Sequence, residues 1–249
     1  MGLPGIIDSV NGIVHGLSNV PGWTDVPLRD ILHNRTGLHA EIENDANAMT
    51  YAEWKFGAAR DGHNVVCITL GTGVGGGLIF DGHLYRGSTL GAGEVGQMSI
   101  NLQGPAGRYG NLGALEKYVG NQQMAERAQQ LYENSGQLVS LEQCTPAALA
   151  AAANAGDTVA KQLWAQFGME IGAGLANVVW LLNPDVIVIG GGVAQAGDLL
   201  FDPIVRAICN RTMSTFYEGL RVVPAALGND AGVIGSATVA LDALDHPEH

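Results

Sequence analysis

The chain has 249 residues, 12 Lys and Arg against 24 Asp and Glu, and a formal net charge of −12. That acidic balance, with no run of basic residues, excludes the phosphate-neutralising surface of a nucleic-acid binder. Hydrophobic residues make up 47% and charged residues 14%, which excludes a disordered chain and supplies a packed core. From Met1 to Asp30 the text is rich in Gly, Pro, Asn and Asp, and reads as turns with short edge strands. Val26 to Thr36 carries a short helical pattern, and His39 to Glu43 alternates as a strand does. Asp45 reads as the N-cap of a helix from Ala46 to Phe56 that stops at Gly57. Val65 to Leu70 is a β-branched strand, followed by the glycine turn Gly71 to Gly77, the strand Leu78-Ile79-Phe80, an Asp81-Gly82 hairpin and the strand His83-Leu84-Tyr85. After a polar loop from Gly104 to Gly113, helices dominate. Thr145-Pro146 is a cap followed by proline at the first helical position, and apolar residues from Val159 to Leu182 recur at three-to-four spacing, as in a long buried helix. Asp185 to Ile189 reads as a strand buried on both faces, ahead of Gly190-Gly191-Gly192. A strand at Leu220 to Pro224 and a helix from Ala231 to Leu244 close the chain. The alternation of strand and helix makes the fold class α/β.

Two glycine clusters carry the first functional signal. Backbone N–H groups converge on phosphate oxygens most easily where no Cβ intervenes, so Gly71, Thr72 and Gly73 form a candidate phosphate turn, although a tight turn in a twisted sheet uses glycine too. Gly190, Gly191 and Gly192 follow a buried strand, at the carboxyl end where open α/β sheets bind ligands. The second signal is acidic: Glu43-Asn44-Asp45, Glu94 and Glu116. Phosphoryl transfer to a hydroxyl needs a carboxylate that accepts the hydroxyl proton, and Asp45 fits that role as well as it fits helix capping. Asn19 and Asn44 could hydrogen-bond a polyol, and also suit turns. Glu94 and Glu116 could accept sugar hydroxyls, or stand as solvated carboxylates. The seven histidines show no metal-like spacing. Cys67, Cys144 and Cys209 are odd in number and far apart, so neither a disulfide framework nor a zinc ribbon is expected, and a reducing compartment is. MGLPGIIDSV lacks a basic leader, and the apolar stretch Ile171 to Leu182 stops at Asn183-Pro184-Asp185, so a soluble, cytoplasmic protein without a membrane partner is expected.

In their order these motifs resemble the ROK family of bacterial sugar kinases and regulators, on the side of its glucokinases. The resemblance covers nearly the whole chain. It runs through Leu3-Pro4-Gly5, Ser18-Asn19-Val20-Pro21-Gly22-Trp23, Glu43-Asn44-Asp45-Ala46-Asn47, Leu70 to Gly77, Tyr85-Arg86-Gly87, Gly93-Glu94-Val95-Gly96, Leu115-Glu116, Asn183-Pro184-Asp185 to Gly192, and Gly228-Asn229-Asp230-Ala231-Gly232. It implies an actin-like ATPase (ribonuclease H-like) fold of two lobes around a cleft: a small lobe from residues 1–45 and 231–249, and a large lobe from 46–230. It implies ATP-dependent phosphorylation of a hexose, glucose first, at the 6-hydroxyl, with Asp45 as general base and magnesium carried by the nucleotide. Asn19, Asn44, Asp45, Glu94, Gln97 and Glu116 match the family's sugar-binding positions. Gly71, Thr72 and Gly73 would touch phosphate, and Gly190 to Gly192 would approach the adenosine. A homodimer or tetramer is expected.

Two departures stand beside the matches. The family's opening strand with its D-x-G-x-T phosphate loop has no counterpart from Met1 onward, so the first strands of the small lobe are expected to be missing. A sugar-binding pseudokinase or truncated fragment is therefore the alternative, and a transcriptional regulator fragment a further one. The family's zinc positions read Gln97, Gly107, Tyr109 and Ala114, none of which offers thiolate or imidazole, so no structural zinc is expected. Gln97 keeps an amide that donates and accepts where the family has histidine, and the loop from Gln103 to Gly113 would need packing around Tyr109 in place of the metal.

Overall fold

The computed structural model describes residues 1–17 and 20–245. They divide into two units, one made of Met1–Cys67, Gly76–Gly93 and the segment from Ala226, the other of Ile68–Gly75 and Glu94–Ala225. The strands β5 (Val65–Leu70), β6 (Val74–Phe80), β7 (His83–Tyr85), β8 (Val186–Gly190) and β9 (Arg221–Pro224) are hydrogen-bonded in the order β7-β6-β5-β8-β9.

In the first unit, β1 (Gly2–Leu3) pairs in parallel with β4 (Glu43–Asn44), and β2 (Gly5–Asp8) pairs antiparallel with β3 (Ile13–Leu17). The strand expected over 39–43 shrinks to β4 because β1 offers only two residues to pair with. Asp8 closes the β2–β3 turn, its two carboxylate oxygens accepting from the backbone N and the Nδ2 of Asn11, each at 2.8 Å. Leu3, Ile7, Val14, Leu28 and Ile42 form a small core beneath these strands and α1 (Leu28–Thr36). The helix α2 (Asp45–Phe56) lies against α9 (Ala231–Asp245), so closely that a Cβ on Gly235 would collide with the backbone of Ala48. This packing puts α2 with the first unit, whereas the sequence reading divided the chain at residue 45. At the far end of α2, the fully buried Glu53 accepts hydrogen bonds from the backbone N–H of Ala58 (2.8 Å), Ala226 (3.1 Å) and Leu227 (2.8 Å). Three N–H dipoles replace the water that a buried carboxylate loses. Between β6 and β7, Asp81 and Gly82 take φ 49° and 75°, the type I′ turn that the Asp-Gly pair predicts.

The second unit is mainly helical: α3 (Glu116–Val119), α4 (Asn121–Asn134), α5 (Pro146–Asn154), α6 (Thr158–Leu182), α7 (Asp198–Arg211) and α8 (Ser214–Tyr217). Thr145 caps α5 through the Ala148 N–H at 3.2 Å, with Pro146 in the first turn. Asp157 caps α6 through the Ala160 N–H at 2.8 Å, and α6 ends on Asn183 in the left-handed region at φ 43°. By length and composition α6 could cross a bilayer, yet half of its most apolar stretch is buried within the protein. Leu163, Phe167, Ile171, Leu175 and Val179 line its inner face. It meets α7 at two glycines: a Cβ on Gly168 would stand 2.5 Å from Pro203, and one on Gly172 2.5 Å from Ala207. Every residue of β8 is buried, and its parallel register with β9 runs from Val186↔Arg221 to Ile189↔Pro224.

Candidate active site

The acidic candidates begin where β4 meets α2. Asn44, not Asp45, is the N-cap: its Oδ1 accepts from Ala46 N at 2.9 Å and Asn47 N at 3.2 Å, while its Nδ2 donates to the carbonyl of Gly5 at 3.2 Å. Asp45 is therefore the first residue of the helix, which corrects the expectation that it caps α2. Its Oδ1 accepts from Ala46 N at 2.9 Å, and among the described residues no hydrogen bond reaches Oδ2. A carboxylate in the first turn also gains from the positive end of the helix dipole. This arrangement gives Asp45 one anchored oxygen and one available to a hydroxyl, while the Asn44 amide keeps one N–H for a ligand. Asn19 lies outside the described residues.

The two glycine clusters meet in the second unit. Gly191 takes φ 91°, and a Cβ there would collide with the carbonyl oxygen of Leu70, the last residue before Gly71. The close approach of the chain to itself thus explains Gly191, while Gly71 and Gly192 face open space. The turn is held by Gly71 N–H donating to Gly73 O at 3.0 Å and Asn121 N–H donating to Gly71 O at 2.9 Å. The second bond sets the N-terminus of α4 beside the turn, and a Cβ on Gly120 would come 2.8 Å from the Thr72 carbonyl. A helix start without a side-chain cap, beside a turn with glycine on either side of Thr72, suits an anionic oxygen. Gly120 and Asn121 were not singled out from sequence, where a Gly-Asn pair ahead of a run of helix formers was the available signal.

Glu116 opens α3, and its Oε2 lies 3.3 Å from where a Cβ on Gly73 would stand. The structure therefore joins Glu116 to the glycine turn. Glu94 is exposed ahead of the short helical turn Val95–Gln97, and its carbonyl accepts from Gln97 N at 3.0 Å. The side-chain Oε1 of Gln97 is buried with no hydrogen-bond partner among the described residues. Asn44 and Asp45 belong to the first unit, and Glu94, Gln97, Glu116 and both glycine turns to the second, except that Gly71 to Gly73 continue a strand begun in the first.

The zinc positions show how the loop after Gln97 closes with other chemistry. Asn111 Nδ2 donates to the Gln97 carbonyl at 2.6 Å, Gly107 N–H to Asn111 O at 2.7 Å, Gly113 N–H to Pro105 O at 2.8 Å and Asn101 Nδ2 to Tyr118 Oη at 3.1 Å. Ser99 Oγ also bonds Leu112 O. Tyr109 does not pack into the loop as expected: it is 69% exposed, with the Arg108 guanidinium 5.8 Å from its ring. Backbone and amide hydrogen bonds across the loop hold it closed without the ring. Among the described residues no group of three or more His, Cys, Asp or Glu is arranged to hold a metal ion, and an amide, a glycine, a phenol and a methyl at the four zinc positions do not fit that metal.

The second unit brings two glycine turns and a helix start together, and the first sets a carboxylate at the head of α2; the α/β chain has the actin-like ATPase fold of the ROK sugar kinases to which it is similar. The chain belongs to the ROK family, whose model matches residues 1–243. It is 34% identical over 248 residues to a glucokinase of Thermotoga maritima, across 96% of this chain and 77% of that protein. The crystal structure of a ROK family glucokinase from Streptomyces griseus, in complex with glucose and AMPPNP, superposes with a TM-score of 0.84 at 33% identity, covering 97% of this chain and 80% of that one. A xylose repressor of Caldicellulosiruptor bescii is 30% identical over 255 residues, covering all of this chain and 64% of that protein. The chain is thus glucokinase-like over most of its length, within a family that also holds repressors.

Proposed function

We propose that this protein is an ATP-dependent hexose kinase that phosphorylates the 6-hydroxyl of glucose, with Asp45 as the base. The observation that carries the reading is the division of labour at the head of α2: Asn44 caps the helix, so Asp45 Oδ2 is left for a substrate hydroxyl. In the reaction Asp45 takes the hydroxyl proton as the sugar oxygen forms its bond to the γ-phosphorus. The bond from that phosphorus to the bridging oxygen breaks, and ADP leaves with the electron pair. Asn19, Asn44, Glu94, Gln97 and Glu116 would hold the sugar, Gly71, Thr72 and Gly73 the phosphates, and Gly190, Gly191 and Gly192 would border the adenosine. Magnesium would arrive on the nucleotide's phosphates, and the unsuitable side chains at the zinc positions support a loop without zinc. Positioning and charge neutralisation would supply most of the rate. A cytoplasmic homodimer or tetramer, with no nucleic-acid or membrane partner, completes the reading.

The 30% identity to a xylose repressor favours one second reading, a sugar sensor without turnover. Calorimetric titration with glucose and with magnesium-ATP, beside a coupled ADP-release assay, separates the two. The kinase reading expects saturable glucose binding and turnover that Asp45→Ala lowers by at least about a hundredfold. Glucose binding without turnover would make the protein a sensor, and no glucose binding would remove the sugar site altogether.

A further inference from the structure

We infer that the Glu43–Arg86 ion pair is a positioning device that fixes the orientation of Asp45; the inference rests on the sugar-kinase reading. Glu43 immediately precedes the Asn44-Asp45 pair and is 2% exposed. Its carboxylate makes four contacts. Oε2 receives Nε and Nη2 of Arg86, both at 2.8 Å, while Oε1 accepts from Asn44 N at 2.9 Å and Asn47 Nδ2 at 3.0 Å. One buried anion therefore grips the peptide on the near side of Asp45 and, through Asn47, the first helical turn on its far side. The base sits between the two grips. Replacing such a pair by apolar residues is often neutral or stabilising, so stability alone is a weak reason for it, whereas a fixed geometry is a reason that a forked guanidinium serves well.

Arg86 stands on a segment that is itself braced. It follows β7, its carbonyl accepts from Ala92 N at 2.9 Å, and a Cβ on Gly93 at the segment's end would come 2.7 Å from Gly76 O in β6. The head of α2 is thus tied to the β6–β7 hairpin and to the stretch of chain that leads into Glu94. Glu43 and Arg86 touch no substrate in this scheme and act through α2.

The test compares Arg86→Ala and Arg86→Lys with the unaltered full chain, by steady-state kinetics, glucose titration and thermal unfolding. Arg86→Ala is expected to lower kcat by at least about tenfold, because small displacements of a reacting group are costly, with the KM for ATP unchanged. Arg86→Lys, which keeps the charge and loses the fork, should fall between the two. Free guanidinium at a concentration that does not denature the protein should restore part of the lost kcat in Arg86→Ala, a rescue that a merely destabilised protein would not show. An unchanged kcat, or a loss that guanidinium does not restore, overturns the inference. Should Arg86→Ala fail to fold, Glu43→Gln, which keeps the shape and removes the charge, decides by the same kcat criterion. An unaltered chain that neither binds glucose nor turns over overturns the kinase reading and this inference with it, a result read before any variant is made.

Discussion

Gly191 holds a left-handed φ of 91° against the Leu70 carbonyl, so the two glycine turns keep their spacing only while that residue lacks a side chain. Gly191→Ala is expected to cost at least about 2 kcal/mol in unfolding free energy, from backbone strain and collision together, readable as a fall in the midpoint of chemical denaturation. Asn44 separates capping from ligand binding. Asn44→Ala should cost about 1 kcal/mol through the lost cap, while Asn44→Asp, which still caps but loses the bond to the Gly5 carbonyl, should recover only part of that stability and weaken glucose binding because the spare amide N–H is gone. Cys67 is fully buried, and burial pushes its thiol far above the ordinary range, as it also raises Cys144. A thiol reagent at neutral pH should therefore label only the partly exposed Cys209 in the native protein, and all three cysteines after denaturation; early labelling of Cys67 would contradict the packing. At this scale the sequence points to candidate residues without fixing which of them caps α2 and which is left for a ligand. Asn and Asp are both good N-caps, so adjacent letters at the head of α2 leave the cap undecided by one residue until φ, ψ and the N–H directions are known.

Elements held by local chemistry were the readable ones. The I′ turn at Asp81-Gly82, the Thr145-Pro146 start of α5, the long apolar period of α6 and the all-apolar β8 follow from turn preference, capping and periodicity within a few residues. Elements that depend on a distant partner were not. The strand over 39–43 contracted to the length of β1, and the loop after Gln97 closes through backbone pairs that leave no mark on side-chain type. The β2–β3 hairpin gives an element-scale prediction. Hydrogen bonds from Asn11 hold Asp8 below the ordinary aspartate value, so the folded state favours the charged form. Its stabilisation is present at neutral pH and is lost as pH falls from the ordinary aspartate value through the lowered one. Asp8→Asn should flatten that part of the acid-unfolding curve and lower stability at neutral pH, since an amide offers Asn11 one acceptor oxygen where the carboxylate offers two. The α6–α7 crossing depends on Gly168 and Gly172, and Gly172→Val should unfold the second unit at lower temperature through overpacking of about 1–3 kcal/mol.

At the scale of the whole molecule, fold and family membership do not by themselves separate a kinase from a regulator, since a glucokinase and a xylose repressor match this chain at 34% and 30% identity. On the proposed reading, turnover dependent on Asp45 separates them. Glucose should raise the unfolding temperature in either case, by about 2.7 kcal/mol of stabilisation at a hundredfold excess over Kd, whereas release of ADP belongs to the kinase alone. The first unit is built from both ends of the chain, and the Glu53 carboxylate records that fact. During synthesis its two final N–H partners, Ala226 and Leu227, emerge 173 and 174 residues after it, a wait on the order of ten to thirty seconds at ribosomal speed. The second unit's long central span is translated in that interval, while the apolar face of α2 stands open without α9. A nonsense codon before residue 226 would therefore release a chain whose opening unit can never close, and cellular quality control, rather than any defect in the reaction, would decide its fate.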